Sequence, residues 1–291
     1  MAGEVNTELI ISPSSQSVRD DLADASGWSA YAAELRMAVR TVIEKSGADS
    51  LEVGELLVGR PLPDEYSALR NGVKVGSAEA VGLVEAMVSG SGPYCRLSFP
   101  GRLQIESGWD GAVHLYVTSR TATDLAGLRG GELSLQWRDA VPEPVDVSTP
   151  VDAVADESFW NAVQEVSEGV TLVCERWAHG AYGCRWFRVT PENVKEVARL
   201  VRPRSLVCVA AAPELRPRPE ILEDDFTAFV DPVLPGELAH RAYPGGADSL
   251  SDVTGEGFSL VLADKDLAHW CAVVPDPDGV VRAQWENPGD A

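Results

Sequence analysis

Between Cys174 and Arg204 the chain gathers side chains that bind, titrate or react: CERWAHGAYGCRWFRVTPENVKEVARLVRPR. The spacing Cys174-x4-His179-x4-Cys184 sets two thiols and an imidazole around one hairpin, ligand types that suit zinc. A structural zinc site takes four protein ligands, and no fourth stands nearby. Buried core thiols are therefore the expectation for the cysteines, and neither a metal nor a cofactor is expected.

Arginines carry the stronger chemistry. If 183–189 is a strand, Arg185, Phe187 and Val189 share one face, and Cys184, Trp186 and Arg188 share the other. Arg188 beside Trp186, with Arg176 on the partner strand, would make a planar cation–π-supported site for phosphate or carboxylate, Trp186 being its ligand-contact aromatic. Thr190 and the amides opening the next helix follow directly and favour negative charge. The anion-binding candidates are thus Arg176, Arg185, Arg188 and Thr190. The competing reading is internal neutralisation, with these arginines paired to the acidic C-terminal segment.

Four histidines are available: His114, His179, His240 and His269. His269-Trp270-Cys271 falls in an expected strand, and His269 and Cys271 are not expected to form a dyad with each other. His179 and His240 fall in turns or loops, where an imidazole titrating near neutrality can serve as general acid–base. No nucleophile elbow, P-loop or dinucleotide fingerprint is present.

The elements that must position these groups follow from periodicity and punctuation. Trp28, Tyr31, Leu35, Val39 and Val42 make one helical stripe, with Ser26 as expected cap and Gly47 as stop. Ser77 is expected to cap a second helix. Strands are expected at 7–12, 51–58, 94–99, 103–107, 112–118 and 132–138, with a tight turn at 108–111. Residues 139–156 hold three prolines and no positive charge, and read as an acidic linker. Beyond it come a helix at 157–167, strands at 170–177 and 183–189, a helix at 190–201 capped by Thr190 with Pro191 at its first position, and a strand at 205–210. Four further strands within FTAFV, FSLVL, HWCAVV and GVVRAQW close the chain, the last two joined by Pro-Asp-Pro-Asp-Gly.

Laying 112–137 on 184–209 aligns strand, threonine cap, helix and strand without a gap. The expected fold is therefore α+β: two similar antiparallel-sheet units with packed helices, an internal duplication of a helix–strand–strand–helix–strand unit, and a C-terminal β-meander completing the second sheet. The expected domains are 1–138 and 157–291.

Charge bounds the function. The 291 residues carry a formal net charge of −21, with 45% hydrophobic and 24% charged residues, as in globular proteins. The distribution is uneven: −6 over 1–138, −8 over 139–169, +5 over 170–219 and −12 over 220–291. Repulsion from phosphates opposes nucleic-acid binding, although arginines interleaved with aromatics resemble stacking platforms locally. No apolar run reaches the ~20 residues of a membrane span. The N-terminal residues lack the pattern of a secretory leader, and five irregularly spaced cysteines suit a reducing cytoplasm. Arginine outnumbers lysine 20 to 4, a bias associated with high-GC bacteria. The expected function is a non-catalytic cytoplasmic module that binds another protein, of cationic character, and inhibits or escorts it. The alternative is an enzyme acting on a peptide or small anionic substrate, held by the arginines, with His179 or His240 as acid–base.

Overall fold

Alternation decides the first sheet. Along β1 (Thr7–Pro13), Leu9 and Ile11 are fully buried while Ile10 and Ser12 are partly exposed, the two-residue period of a half-buried strand. β6 (Val113–Val117) repeats it, burying Val113, Leu115 and Val117 and turning His114 and Tyr116 to the other face. Together with β2 (Ser50–Leu57), β3 (Lys74–Gly76), β4 (Tyr94–Phe99), β5 (Leu103–Ser107) and β7 (Leu133–Asp139) they form one antiparallel seven-stranded sheet, ordered β3-β2-β4-β5-β6-β1-β7.

These features come from a computed structural model, which describes residues 5–23, 25–108, 111–141, 150–267 and 270–286. His269, the centre of the expected 108–111 turn and positions 142–149 of the expected linker lie outside the described residues. The chain divides into two compact units, 1–57 with 62–145 and 58–61 with 146–291.

In the first unit the helices α1 (Gln16–Asp21), α2 (Ala25–Ser46), α3 (Ser77–Val88) and α4 (Ser119–Asp124) accompany the sheet. Of the stripe expected on α2, Tyr31, Leu35, Val39 and Val42 are buried and Trp28 is half-buried. α2 starts at Ala25, so Ser26 lies within the first turn and is not its cap. Gly76 holds the cap position of α3 and Ser77 is its first residue. Gly47 ends α2 at φ +68°, a left-handed conformation costing roughly 1–2 kcal/mol for a residue with a Cβ. The opposite sheet face is polar: Gln104, Glu106, His114 and Tyr116 are partly exposed, and Glu8 is 1% exposed beneath Arg138 and His114.

The second unit is built in layers. β8 (Thr171–Arg176), β9 (Cys184–Val189), β10 (Leu206–Ala211), β12 (Gly236–Leu238) and β15 (Cys271–Val273) form a five-stranded antiparallel sheet in the order β12-β9-β8-β10-β15. On one face α5 (Glu157–Val166) and α6 (Val194–Leu200) bury Phe159, Val163, Val194 and Val197 against Val173, Phe187 and Val207. On the other lies a three-stranded sheet, β13-β11-β14, of β11 (Phe226–Phe229), β13 (His240–Tyr243) and β14 (Leu260–Ala263). Phe229 and Leu262 pack there with Leu172, Cys174, Trp186 and Cys208. The far face of the small sheet carries Phe226, Ala228 and Val261 against Val253 of α7 (Leu250–Gly255).

The α+β class and the antiparallel sheets are as expected; three details differ. First, α6 begins at Val194, not at 190. Asn193 Oδ1 accepts the Thr190 amide at 2.7 Å and its carboxamide donates to the Arg188 carbonyl at 3.0 Å, closing residues 190–193 as a turn. Thr190 is therefore not the helix cap. Second, the C-terminal strands do not complete the large sheet as one meander: β12 and β15 join its two edges, β11, β13 and β14 form the small sheet, and 279–285 forms no ladder strand. The Asp-Pro-Asp-Gly turn does form, through Gly279 N–H to the Asp276 carbonyl at 2.8 Å. Past it Arg282 folds back onto Asp276 and Asp278, and Trp285 Nε1 donates to the Arg204 carbonyl at 2.9 Å. Third, the strand orders do not repeat. β7 pairs with β1, whereas β10, its expected counterpart, pairs with the hairpin strand β8. The 150–156 end of the expected linker is tied into the second unit, where Val151 and Ala155 donate to the Trp285 and Val273 carbonyls.

Candidate functional site

The register of β8 against β9 places each candidate. Cys174 lies opposite Trp186, Glu175 opposite Arg185, and Arg176 opposite Cys184. Cys174, Arg176, Cys184, Trp186 and Arg188 thus share the face covered by the small sheet, and Arg185 takes the other, as the alternation predicted.

That geometry disperses the expected anion site. Arg176 on β8 lies opposite Cys184, and Arg188 on β9 lies opposite Leu172, positions four strand residues apart and hence about 13 Å along the strand. Arg188 Nη1 donates to the Val233 carbonyl at 2.6 Å. Trp186 is 1% exposed and meets Phe229 edge-on at 5.1 Å, so it is a core aromatic. Thr190 spends its amide on Asn193. α6 has seven residues and its first turn follows a side-chain-closed turn.

Arg185 is committed more firmly. Its Nε donates to Glu175, and an Nη donates to the Leu200 carbonyl. Glu175 is 0% exposed, and its other oxygen accepts the Arg202 amide at 2.7 Å and the Ser205 hydroxyl at 3.0 Å. A buried carboxylate needs such a set of donors to remain charged. The burial of Glu175 could not be read from its type. The signal was its place within the otherwise apolar run TLVCE.

Arg176 faces Asp264, with 3.6 Å between Nη2 and Oδ2. Burial raises the Asp264 pKa, an effect that Arg176 opposes. The thiols of Cys174 and Cys208 lie in the same neighbourhood, and desolvation pushes the buried Cys174 thiol well up. Cys208 stands opposite Cys174 on one side and Cys271 on the other, with 3.1 Å between the Cys208 and Cys271 sulfurs.

The two histidines separate. His179 is exposed on the β8–β9 loop, its ring tilted against Trp285 at 5.1 Å. Loss of hydration and the Arg176 charge lower its pKa. His240 opens β13 opposite Phe229, on the face turned toward the large sheet. Its Nε2 lies 3.8 Å from Cys184 Sγ, and Nδ1 lies 3.4 Å from the Leu238 carbonyl. Burial pulls the His240 pKa down, but the Cys184 sulfur, the Leu238 carbonyl and Glu237 outweigh it and the net shift is upward. Cys184 moves the opposite way: the Cys174 hydrogen bond lowers it most, with His240 and Arg176 adding to that effect. This Cys–His contact joins residues 56 positions apart. Sequence reasoning took Cys184 only with His179, because the small sheet that delivers His240 is placed by long-range packing.

Among the described residues no group of three or more His, Cys, Asp and Glu side chains is arranged to hold a metal ion, and no helix is long and apolar enough to cross a membrane. Comparison with protein-family models, curated proteins and solved structures finds no match for the chain.

Proposed function

We propose that the protein is a non-catalytic cytoplasmic interaction module that binds a cationic protein and inhibits or escorts it. One observation carries this reading. The basic residues of the second unit are largely spent internally, while the acids of its helical layer are not. Arg185 serves Glu175, Arg204 and Arg282 serve Asp276, Arg216 serves Glu214 and Glu220, Arg241 serves Glu256, and Lys265 serves Asp224. By contrast, Glu157, Glu165 and Glu168 on and beside α5 are exposed with no basic residue on that helix, while Glu192 and Glu196 are exposed beside Lys195 and Arg199 of α6. No ion pair engages any of them among the described residues.

An acidic α5 surface on a chain of net charge −21 attracts positive surfaces and accelerates their encounter. The arginine-anchored enzyme has less support, because Arg176, Arg185 and Arg188 each already have an internal partner and lie apart.

The test is reconstitution with charge reversal. A cationic protein retained by the immobilised chain is purified and titrated against the wild type and against Glu157→Lys/Glu165→Lys/Glu192→Lys/Glu196→Lys. The reading expects a stoichiometric complex that the reversal weakens at least about tenfold with folding unchanged, since like-charge juxtaposition costs several kcal/mol. Equal binding by both proteins, or failure to bind any cationic protein, would contradict it.

A further inference from the structure

Burial and partners divide the second unit's thiols. Cys174 and Cys208 are buried, whereas Cys184 and Cys271 are partly exposed, Cys271 with its sulfur 3.1 Å from that of Cys208 and Cys184 at the rim where the two sheets meet. The Cys184 sulfur lies 3.8 Å from His240 Nε2, and Arg176 is its direct neighbour across the ladder. The titratable groups facing this rim are Cys174 and Arg176 from β8, Cys208 from β10, His240 from β13 and Asp264 beyond β14, with Glu237 of β12, on the Arg185 side of the sheet, adding its charge to His240. Asp264 is directed at Arg176, which leaves the imidazole to the sulfur. We propose that Cys184 is a nucleophilic modification site, with His240 as its charge and proton partner, and that its electrophile is a small hydroperoxide.

The arrangement supplies what such a step requires. A thiolate is the attacking form, and neighbouring His⁺ or Arg favours it. The Cys184 sulfur attacks the terminal peroxide oxygen, forming an S–O bond as the O–O bond breaks. Sulfur is oxidised by two electrons to the sulfenic acid, and the peroxide is reduced. The departing hydroxide or alkoxide takes the proton from the His240 imidazolium and leaves as water or alcohol. The lowered Cys184 pKa and the raised His240 pKa agree in direction with this assignment.

Site-resolved labelling tests it. The full chain is treated with limiting iodoacetamide across a pH series, native and in urea, and each cysteine is quantified by peptide mass spectrometry. Folding ordinarily protects a partly buried thiol. Near pH 6, where a free thiol of pKa about 8.5 is almost wholly protonated, Cys184 is expected to react at least about tenfold faster native than unfolded. His240→Asn should return its pH profile to that of an ordinary thiol. Hydrogen peroxide followed by dimedone should place the sulfenic-acid adduct on Cys184. Slower labelling of Cys184 in the native chain than in urea overturns the proposal without any variant. So does a pH profile unmoved in a folded His240→Asn protein, or absence of the dimedone adduct.

Discussion

Arg185 shows how a residue with the right chemistry for a ligand is claimed by the fold. Its guanidinium, 17% exposed, satisfies a carboxylate with no access to water and also stacks 5.0 Å over Phe187. Removing one member of such a pair leaves an uncompensated buried charge and costs about 3–5 kcal/mol. Arg185→Ala and Glu175→Ala are each expected to destabilise the protein by about that amount in urea unfolding. The double variant should lose less than the sum, because the two residues act as one unit. An Arg185→Ala protein of unchanged stability would return Arg185 to the pool of ligand candidates. Trp186 teaches the same lesson: its alternation with Arg185 and Phe187 was legible, but not the sheet that covers it.

Elements explain which expectations held. β1 and β6 follow a local two-residue period, β8 and β9 are short apolar-rich runs covered on both faces, and α2 has a local helical stripe, so sequence reading placed them closely. What failed depended on side chains closing turns or on distant packing. Asn193 converts the start of an expected helix into a turn, and Arg282 and Trp285 draw an expected strand out of the ladder. The candidate site was legible to the same extent: the face of each β9 residue was readable, but His240 reaches Cys184 only when β13 docks.

Glu8 gives a prediction at this scale, because it links β1 to β6 and β7. Arg138 Nη2 and His114 Nδ1 lie 3.0 and 2.6 Å from Glu8 Oε1. Burial alone would raise the Glu8 pKa, yet Arg138 and His114 hold it below the ordinary value. Asp276 is likewise held down, chiefly by Arg204. With folded-state pKa values depressed, the unfolded chain binds protons first as pH falls. The stability these groups contribute is present above their unfolded values, about 4, and is lost as pH drops through the folded ones. Thermal unfolding should therefore show a midpoint that declines below about pH 4. Glu8→Gln should lower the midpoint at neutral pH and flatten the acid decline. An acid limb as steep as that of the wild type would mean that Glu8 contributes nothing to it.

At the scale of the whole molecule, charge is the organising feature. The positive segment at 170–219 looked like an exception to the acidity of the chain, and the fold turns it inward: Arg185 meets Glu175, Arg176 meets Asp264 and Arg204 meets Asp276. Outward on α5 the charge is negative, with Glu157, Glu165 and Glu168 lacking ion-pair partners among the described residues, while α6 mixes exposed Glu192 and Glu196 with exposed Lys195 and Arg199. Block charges were readable from the sequence; which blocks cancel was not, since cancellation depends on strand register. A surface of this kind acts first on encounter rates and only then on affinity. The most direct test is the association rate of the chain with its purified cationic partner as ionic strength is raised. The account predicts a fall of at least about tenfold between low and high salt, because exposed charges are screened beyond roughly 10 Å at 0.1 M. An association rate that stays level over that range would contradict it.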